Sequence, residues 1–365
     1  MRSVKHRLML VMAYLGAIIG AGFASGQEIV QFFVNYGSRG LQGAIIAGLL
    51  FATSGALLLN VAHNHQISKY QELLEYLFGR TWSKIVDCIL AVFLFLGIST
   101  MLSASGAIFA EHLYLPKNMG IFLAYILIAL LLVTGKKGLV ASYNLLVPVK
   151  LVLLLGITAY AAFFLKSNEP AFYTNIFYTS VQGSWVTASI LYVAYNFALA
   201  MVILVEYQTL TSRREAVDGA IWGGLLLGIL VLVYYLAMVK FLPAISLYEV
   251  PMLFITGNIS LLIKSIYILV LWVGILTTAL ANAYGFSQRI TRLTGMKYQT
   301  CLLLCMTMAL PLSMQSFSAL VGKVYPLFGV LGIVILIALI YKSVKEVGLE
   351  LYYKIIHLIA KLREV

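Results

Sequence analysis

The residues best placed to do chemistry stand together near the start of the chain, in Gly16-Ala17-Ile18-Ile19-Gly20-Ala21-Gly22-Phe23-Ala24-Ser25-Gly26-Gln27-Glu28. Each of the four glycines, Gly16, Gly20, Gly22 and Gly26, costs a helix about 1 kcal/mol. Ser25, Gln27 and Glu28 then bring polar groups into an otherwise apolar run. An ionisable group at membrane depth is expensive and points to function. The combination predicts a break over 19–22, where freed amides and carbonyls line a cavity. The helix restarting after such a break offers amides and a positive dipole end to a carboxylate. Glu28, about two turns further on, could receive an ammonium group. The competing reading is close helix packing through the pairs Gly16/Gly20 and Gly22/Gly26. A phosphate-binding loop is excluded, because no strand precedes these glycines and no lysine follows them.

A second irregularity lies at Tyr192-Val193-Ala194-Tyr195-Asn196-Phe197-Ala198-Leu199-Ala200, with Glu206 beyond it. Asn196 could simply bond a neighbouring helix for about 1 kcal/mol. With Tyr195 and Phe197 it could instead form a polar and aromatic wall facing Glu28. Other polar residues have blander readings. His63 and His65 suit interface solvation better than a metal site, as does the pair Glu111-His112. Asn144 and Asn282 suit bonds between helices, and Lys323 with Pro326 suits a snorkelling lysine beside a kink. Cys88, Cys301 and Cys305 read as small apolar residues. No nucleophile–base pair, zinc-protease signature or Walker loop occurs, and the chain is not expected to be an enzyme or to need a cofactor beyond a coupling ion.

These residues must be positioned by membrane helices. Of 365 residues 62% are hydrophobic and 10% charged, and mean hydropathy is +0.97. A soluble surface could not be made from that composition. Apolar windows give ten spans, at about 8–34, 40–62, 83–110, 118–134, 139–165, 185–209, 217–242, 259–287, 299–315 and 318–341, each near the roughly 20 residues a bilayer needs. Residues 67–78 read as a short interfacial helix, and 342–365 as an amphipathic cytoplasmic tail on a single transmembrane domain, 1–341. The net charge of +12 does not indicate nucleic acid, because the basic residues cluster between spans. With the N-terminus inside, eighteen Lys and Arg fall on the cytoplasmic side and five outside. Both termini are then cytoplasmic, as an even number of spans requires, in a multi-pass protein of the cell membrane. Arg2, Lys5 and Arg7 before an apolar run also resemble a signal peptide, but the apolar character resumes beyond its cleavage point,. Spans one and six are corresponding members of two five-helix halves, about 8–165 and 185–341. Paired interruptions there point to a binding site between inverted repeats.

The stretch 7–40, with Gly16, Gly20-x-Gly22 and Asn35-Tyr36-Gly37, and the span-eight stretch Gly274-Ile275-Leu276-Thr277-Thr278 resemble the amino acid–polyamine–organocation superfamily of LeuT architecture. Within it, Gly20–Glu28 is most similar to the YkvI-like bacterial membrane proteins. The resemblance implies an all-α fold of ten helices in a 5+5 inverted repeat, with helices one and six interrupted. It implies a sodium site made by the carbonyls of Gly16, Ile19 and Gly274 and the hydroxyls of Thr277 and Thr278. It places the substrate at Ile18, Gly20, Ala21 and Gly22, opposite Tyr195, Asn196 and Phe197, with Glu28 nearby. Lys150, in Val147-Pro148-Val149-Lys150-Leu151, resembles a lysine that replaces sodium in proton-coupled members, and a buried lysine can exchange protons. Phe23 stands where the family's leucine transporter uses an asparagine for a second sodium, and Gln27-Glu28 replaces apolar and proline positions. The function implied is cation-coupled symport of a small polar solute, an amino acid or related amine, by alternating access. The alternative is a membrane sensor of germinant-receptor type, which binds a small molecule without coupled flux. Oligomeric state is not readable.

Overall fold

Long runs of Leu, Ile, Val and Ala without charge can satisfy their backbone inside a bilayer only as helices. The computed structural model describes residues 2–133, 152–166 and 184–363. In chain order the helices are α1 (Arg2–Ile18), α2 (Ala21–Ser25), α3 (Gln27–Phe32), α4 (Arg39–Asn64), α5 (Tyr70–His112), α6 (Lys117–Val133) and α7 (Val152–Phe163). They continue as α8 (Trp185–Leu204), α9 (Arg213–Val239), α10 (Pro251–Gly257), α11 (Leu261–Thr294), α12 (Tyr298–Ser313) and α13 (Phe317–Arg363). Six of them are long and apolar enough to cross a membrane, and four further stretches of 10–17 residues are apolar. The protein is an integral membrane protein that crosses the bilayer several times.

Small residues decide which helices touch. The α4–α9 crossing brings backbone against backbone: a Cβ on Gly48 would sit 2.8 Å from the Cα of Gly228. Such approach raises dispersion contact where no hydrophobic force drives helices together. Tyr14 of α1 fills the space left by Gly55 and Gly223 and donates its hydroxyl to the Phe51 carbonyl at 2.8 Å. Gly329 lets α13 lie on Leu191 of α8. The short helix expected at 67–78 is the first part of α5, set off from the span by Gly79 at φ 75°, a left-handed conformation glycine adopts freely. Helix α13 runs without interruption from the last span into the tail segment. Cys301 and Cys305 are buried, but Cys88 is exposed on the outer face of the bundle.

Polar contacts mark the two ends of the bundle. At the end carrying the N-terminus, Arg7 pairs with Asp218 at 3.0 Å, His65 with Glu346 at 2.5 Å and Arg289 with Asp87 at 2.7 Å. At the opposite end Glu111 accepts the amides of Glu249 (2.8 Å) and Val250 (3.3 Å) ahead of α10, and Glu249 accepts the Phe317 amide at the start of α13.

Candidate functional site

The first span breaks where the glycines predict. Helix α1 stops at Ile18, and Gly20 (φ −85°, ψ −170°) is extended before α2 begins. Gly20 donates to the Ile18 carbonyl at 2.7 Å instead of continuing the helical ladder. The sequence reading did not foresee a second break. Gly26, at φ 83°, closes α2 after five residues and starts α3. The half-helix expected to point a full dipole into the cavity is therefore one short turn followed by another. The turn is tied down locally, since the Ser25 hydroxyl donates to the Gly22 carbonyl (2.7 Å) and accepts the Gln27 amide (3.2 Å).

The expected interruption of span six is absent. Helix α8 is continuous through 195–200 and tightens to a 3-10 helix only at Val205–Leu210. The physical reason lies in Asn196, whose side-chain amide donates to the Tyr192 carbonyl of its own helix at 3.0 Å. The polar group is satisfied within the helix, and no main-chain bond opens to accommodate it.

The end of α1, the short helices α2 and α3, and α5, α8, α11 and α13 enclose a chamber of 70 Å³. Ile18, Gly20, Ala21, Gly22, Glu28, Tyr195 and Asn196 line it, as the sequence led us to expect. Phe197 does not; it is buried in the core. Glu28 is 4% exposed, and Tyr195 donates its hydroxyl to Glu28 Oε2 at 2.5 Å. A Cβ on Gly22 would run into Glu28 Oε1 and come within 3.2 Å of the Tyr325 hydroxyl. The carboxyl thus folds back over the broken segment.

Sequence reasoning missed several lining residues. Tyr325 of α13 stacks at a tilt on Tyr195 with ring centroids 5.0 Å apart and meets Phe93 of α5 edge-on at 6.0 Å. The signal available was a tyrosine inside an apolar span, beside the Lys323 and Pro326 already singled out. Asn282, read as a bond between helices, lines the chamber and lies against Gly97 of α5.

A wider cavity of 250 Å³ adjoins the chamber, and both are bordered by Ala17, Gly20, Leu199, Thr278 and Asn282. It widens past Leu90, Val202 and Ile203 to Arg289, toward the end of the bundle that carries the N-terminus. On the opposite side of Glu28 the path is filled by buried rings. Tyr192 packs edge-on against Phe33 (4.9 Å) and Phe51 (5.9 Å) and at a tilt against Phe32 (5.6 Å). Among the described residues, Tyr192 Oη and Gln27 Oε1 are buried polar atoms without a hydrogen-bond partner.

Of the residues implied for sodium, Gly16, Ile19, Thr277 and Thr278 line the wider cavity together. Both threonine hydroxyls donate to the Gly274 carbonyl at 2.9 Å, and Thr278 Oγ1 accepts the Ala21 amide at 3.3 Å. Thr278 thereby joins the broken segment to α11. A set of neutral oxygens without a carboxylate suits a loosely held monovalent cation. Lys150 lies outside the described residues.

No family model matches the chain. It is 28% identical over 336 residues to the uncharacterised membrane protein YkvI of Bacillus subtilis (strain 168), across 92% of this chain and 95% of that protein. Among solved structures it resembles MhsT in complex with L-phenylalanine, with a TM-score of 0.64 at 14% identity over 90% of this chain and 88% of that one. It also resembles the inward-facing conformation of Mhp1, with a TM-score of 0.58 at 14% identity over 90% and 75% of the two chains. At such identities the likeness is one of fold: the chain has the LeuT-type architecture.

Proposed function

We propose that this protein is a secondary transporter that moves a small polar solute bearing an amine by alternating access. The ten apolar segments form two inverted five-helix repeats with the binding chamber between them. The observation that carries this reading is the double break of the first span at Gly20 and Gly26 around a buried carboxyl. That chamber leads to a cavity at one end of the bundle and is sealed by aromatic rings toward the other. Exposing a central site to one side at a time is what alternating access requires. The fold shared with MhsT and Mhp1 supports the same reading.

We assign the coupling ion to sodium, held where Gly16, Ile19 and Gly274 meet Thr277 and Thr278. The hydroxyls would release Gly274 to take the ion, which would also free the Ala21 amide from Thr278 and couple ion binding to the broken segment. The test uses purified protein in proteoliposomes. Counterflow of a labelled solute is expected, and a sodium gradient should drive accumulation that Thr277→Ala/Thr278→Ala abolishes. Binding without counterflow would make the protein a sensor. Accumulation driven by a pH gradient and lost in Lys150→Ala would replace sodium by protons.

A further inference from the structure

The chamber offers very little to an anion. Its broken helix restarts as five residues only, and the first amide of that turn, Ala21, is taken by the Thr278 hydroxyl. The space over Gly22 is occupied by Glu28 Oε1. Among the described residues no lysine, arginine or histidine lines the chamber. Arg289 gives its Nη2 to Asp87 and to the Tyr70 hydroxyl and leaves Nη1 without a hydrogen-bond partner, but it borders the wider cavity and not the chamber. A substrate carboxylate here would face the Glu28 carboxylate with no cationic side chain on the chamber wall to offset the repulsion, and that repulsion grows as the local dielectric falls.

For an ammonium group each of these features is favourable. A carboxylate buried at this depth needs a countercharge, and leaving it without one costs several kcal/mol. Glu28 keeps Oε2 bonded to Tyr195 and holds Oε1 at the broken segment, where the chamber lies. The rings of Tyr195, Tyr325 and Phe93 form one cluster on its wall, and aromatic faces attract cations. We propose that the chamber is an ammonium site without a carboxylate subsite, so that the solute is a small amine and not an α-amino acid. This rests on the transport reading above and narrows its substrate. It also departs from what resemblance to amino-acid transporters implies.

The test is equilibrium binding to the full-length protein, using matched pairs that differ by one carboxylate. Isobutylamine is set against valine, isoamylamine against leucine, phenethylamine against phenylalanine and putrescine against ornithine. At least one amine should bind tenfold or more tighter than its amino-acid partner. Glu28→Gln, checked as folded by size-exclusion chromatography, should remove that binding, and Glu28→Asp should restore part of it. Amino acids binding as tightly as their amines, no amine binding at all, or amine binding unchanged in Glu28→Gln would each overturn the proposal. Glu28-dependent amine binding without counterflow would sink the transport reading and leave the ammonium site standing. Counterflow of an amino acid that survives Glu28→Gln would do the opposite.

Discussion

Gly22 is where the backbone of the broken segment and the Glu28 carboxyl come closest, with the Tyr325 hydroxyl behind them. A valine there must displace both groups, and overpacking of a closed site costs about 1–3 kcal/mol. Gly22→Val is therefore expected to weaken solute binding by roughly tenfold or more while the protein stays folded. A direct binding measurement showing unchanged affinity would place the site elsewhere. The glycine, the carboxyl and the break at Gly20 were all legible in the sequence, because an acid after four glycines inside an apolar run has few structural explanations. Tyr325 and Asn282 were not legible as lining residues. A single polar residue in a membrane helix reads the same whether it faces a chamber or a neighbouring helix, and only the packing of α5, α11 and α13 around the break decides between them.

The elements respond to the local satisfaction of polar groups more than to pattern. Asn196 bonds within its own helix and leaves α8 straight, whereas Gly26 adopts a left-handed conformation and breaks the first span again. The two cases look alike in sequence, since each is a polar or small residue in an apolar run. The end of the bundle away from the N-terminus shows the same economy. There Glu111, at the last turn of α5, and Glu249, in the loop before α10, cap the chain ahead of α10 and the start of α13. Burial raises Glu249 above the ordinary carboxylate range, against the lowering by the Phe317 amide and Lys117. A group that holds its proton more tightly when folded stabilises the fold below its unfolded value, about 4.3. That contribution is lost as pH rises through the folded value. The melting temperature of the wild type should therefore fall relative to Glu249→Gln as pH increases from the ordinary carboxylate value upward. A constant difference between the two across that range would remove Glu249 from the pH response.

At the scale of the whole molecule, basic residues separate the two ends of the bundle. The contacts place Arg7, His65, Arg213, Arg289 and Glu346 at one end, through Arg7–Asp218, His65–Glu346, Arg213–Asn60 and Arg289–Asp87. The other end holds Lys117, bonded to the Gln315 carbonyl at 2.8 Å, and Lys240, which donates to the carbonyls of Ala162 in the last turn of α7 and of Leu165 just beyond it. The structure thus groups these basic residues at two ends, as the counting from sequence required. Positive residues are retained on the cytoplasmic side during insertion, so the end with the N-terminus should be inside, and the 250 Å³ cavity with it. The state described here would then be the one from which solute exchanges with the cytoplasm. The check uses single cysteines in a background where Cys88, Cys301 and Cys305 are replaced by alanine. Tyr114, 84% exposed, and Met296, 37% exposed, lie in loops at opposite ends. A membrane-impermeant maleimide applied to intact cells should label Tyr114→Cys and leave Met296→Cys unlabelled until the membrane is opened. Labelling in the reverse order would invert the protein in the membrane and turn its open cavity outward.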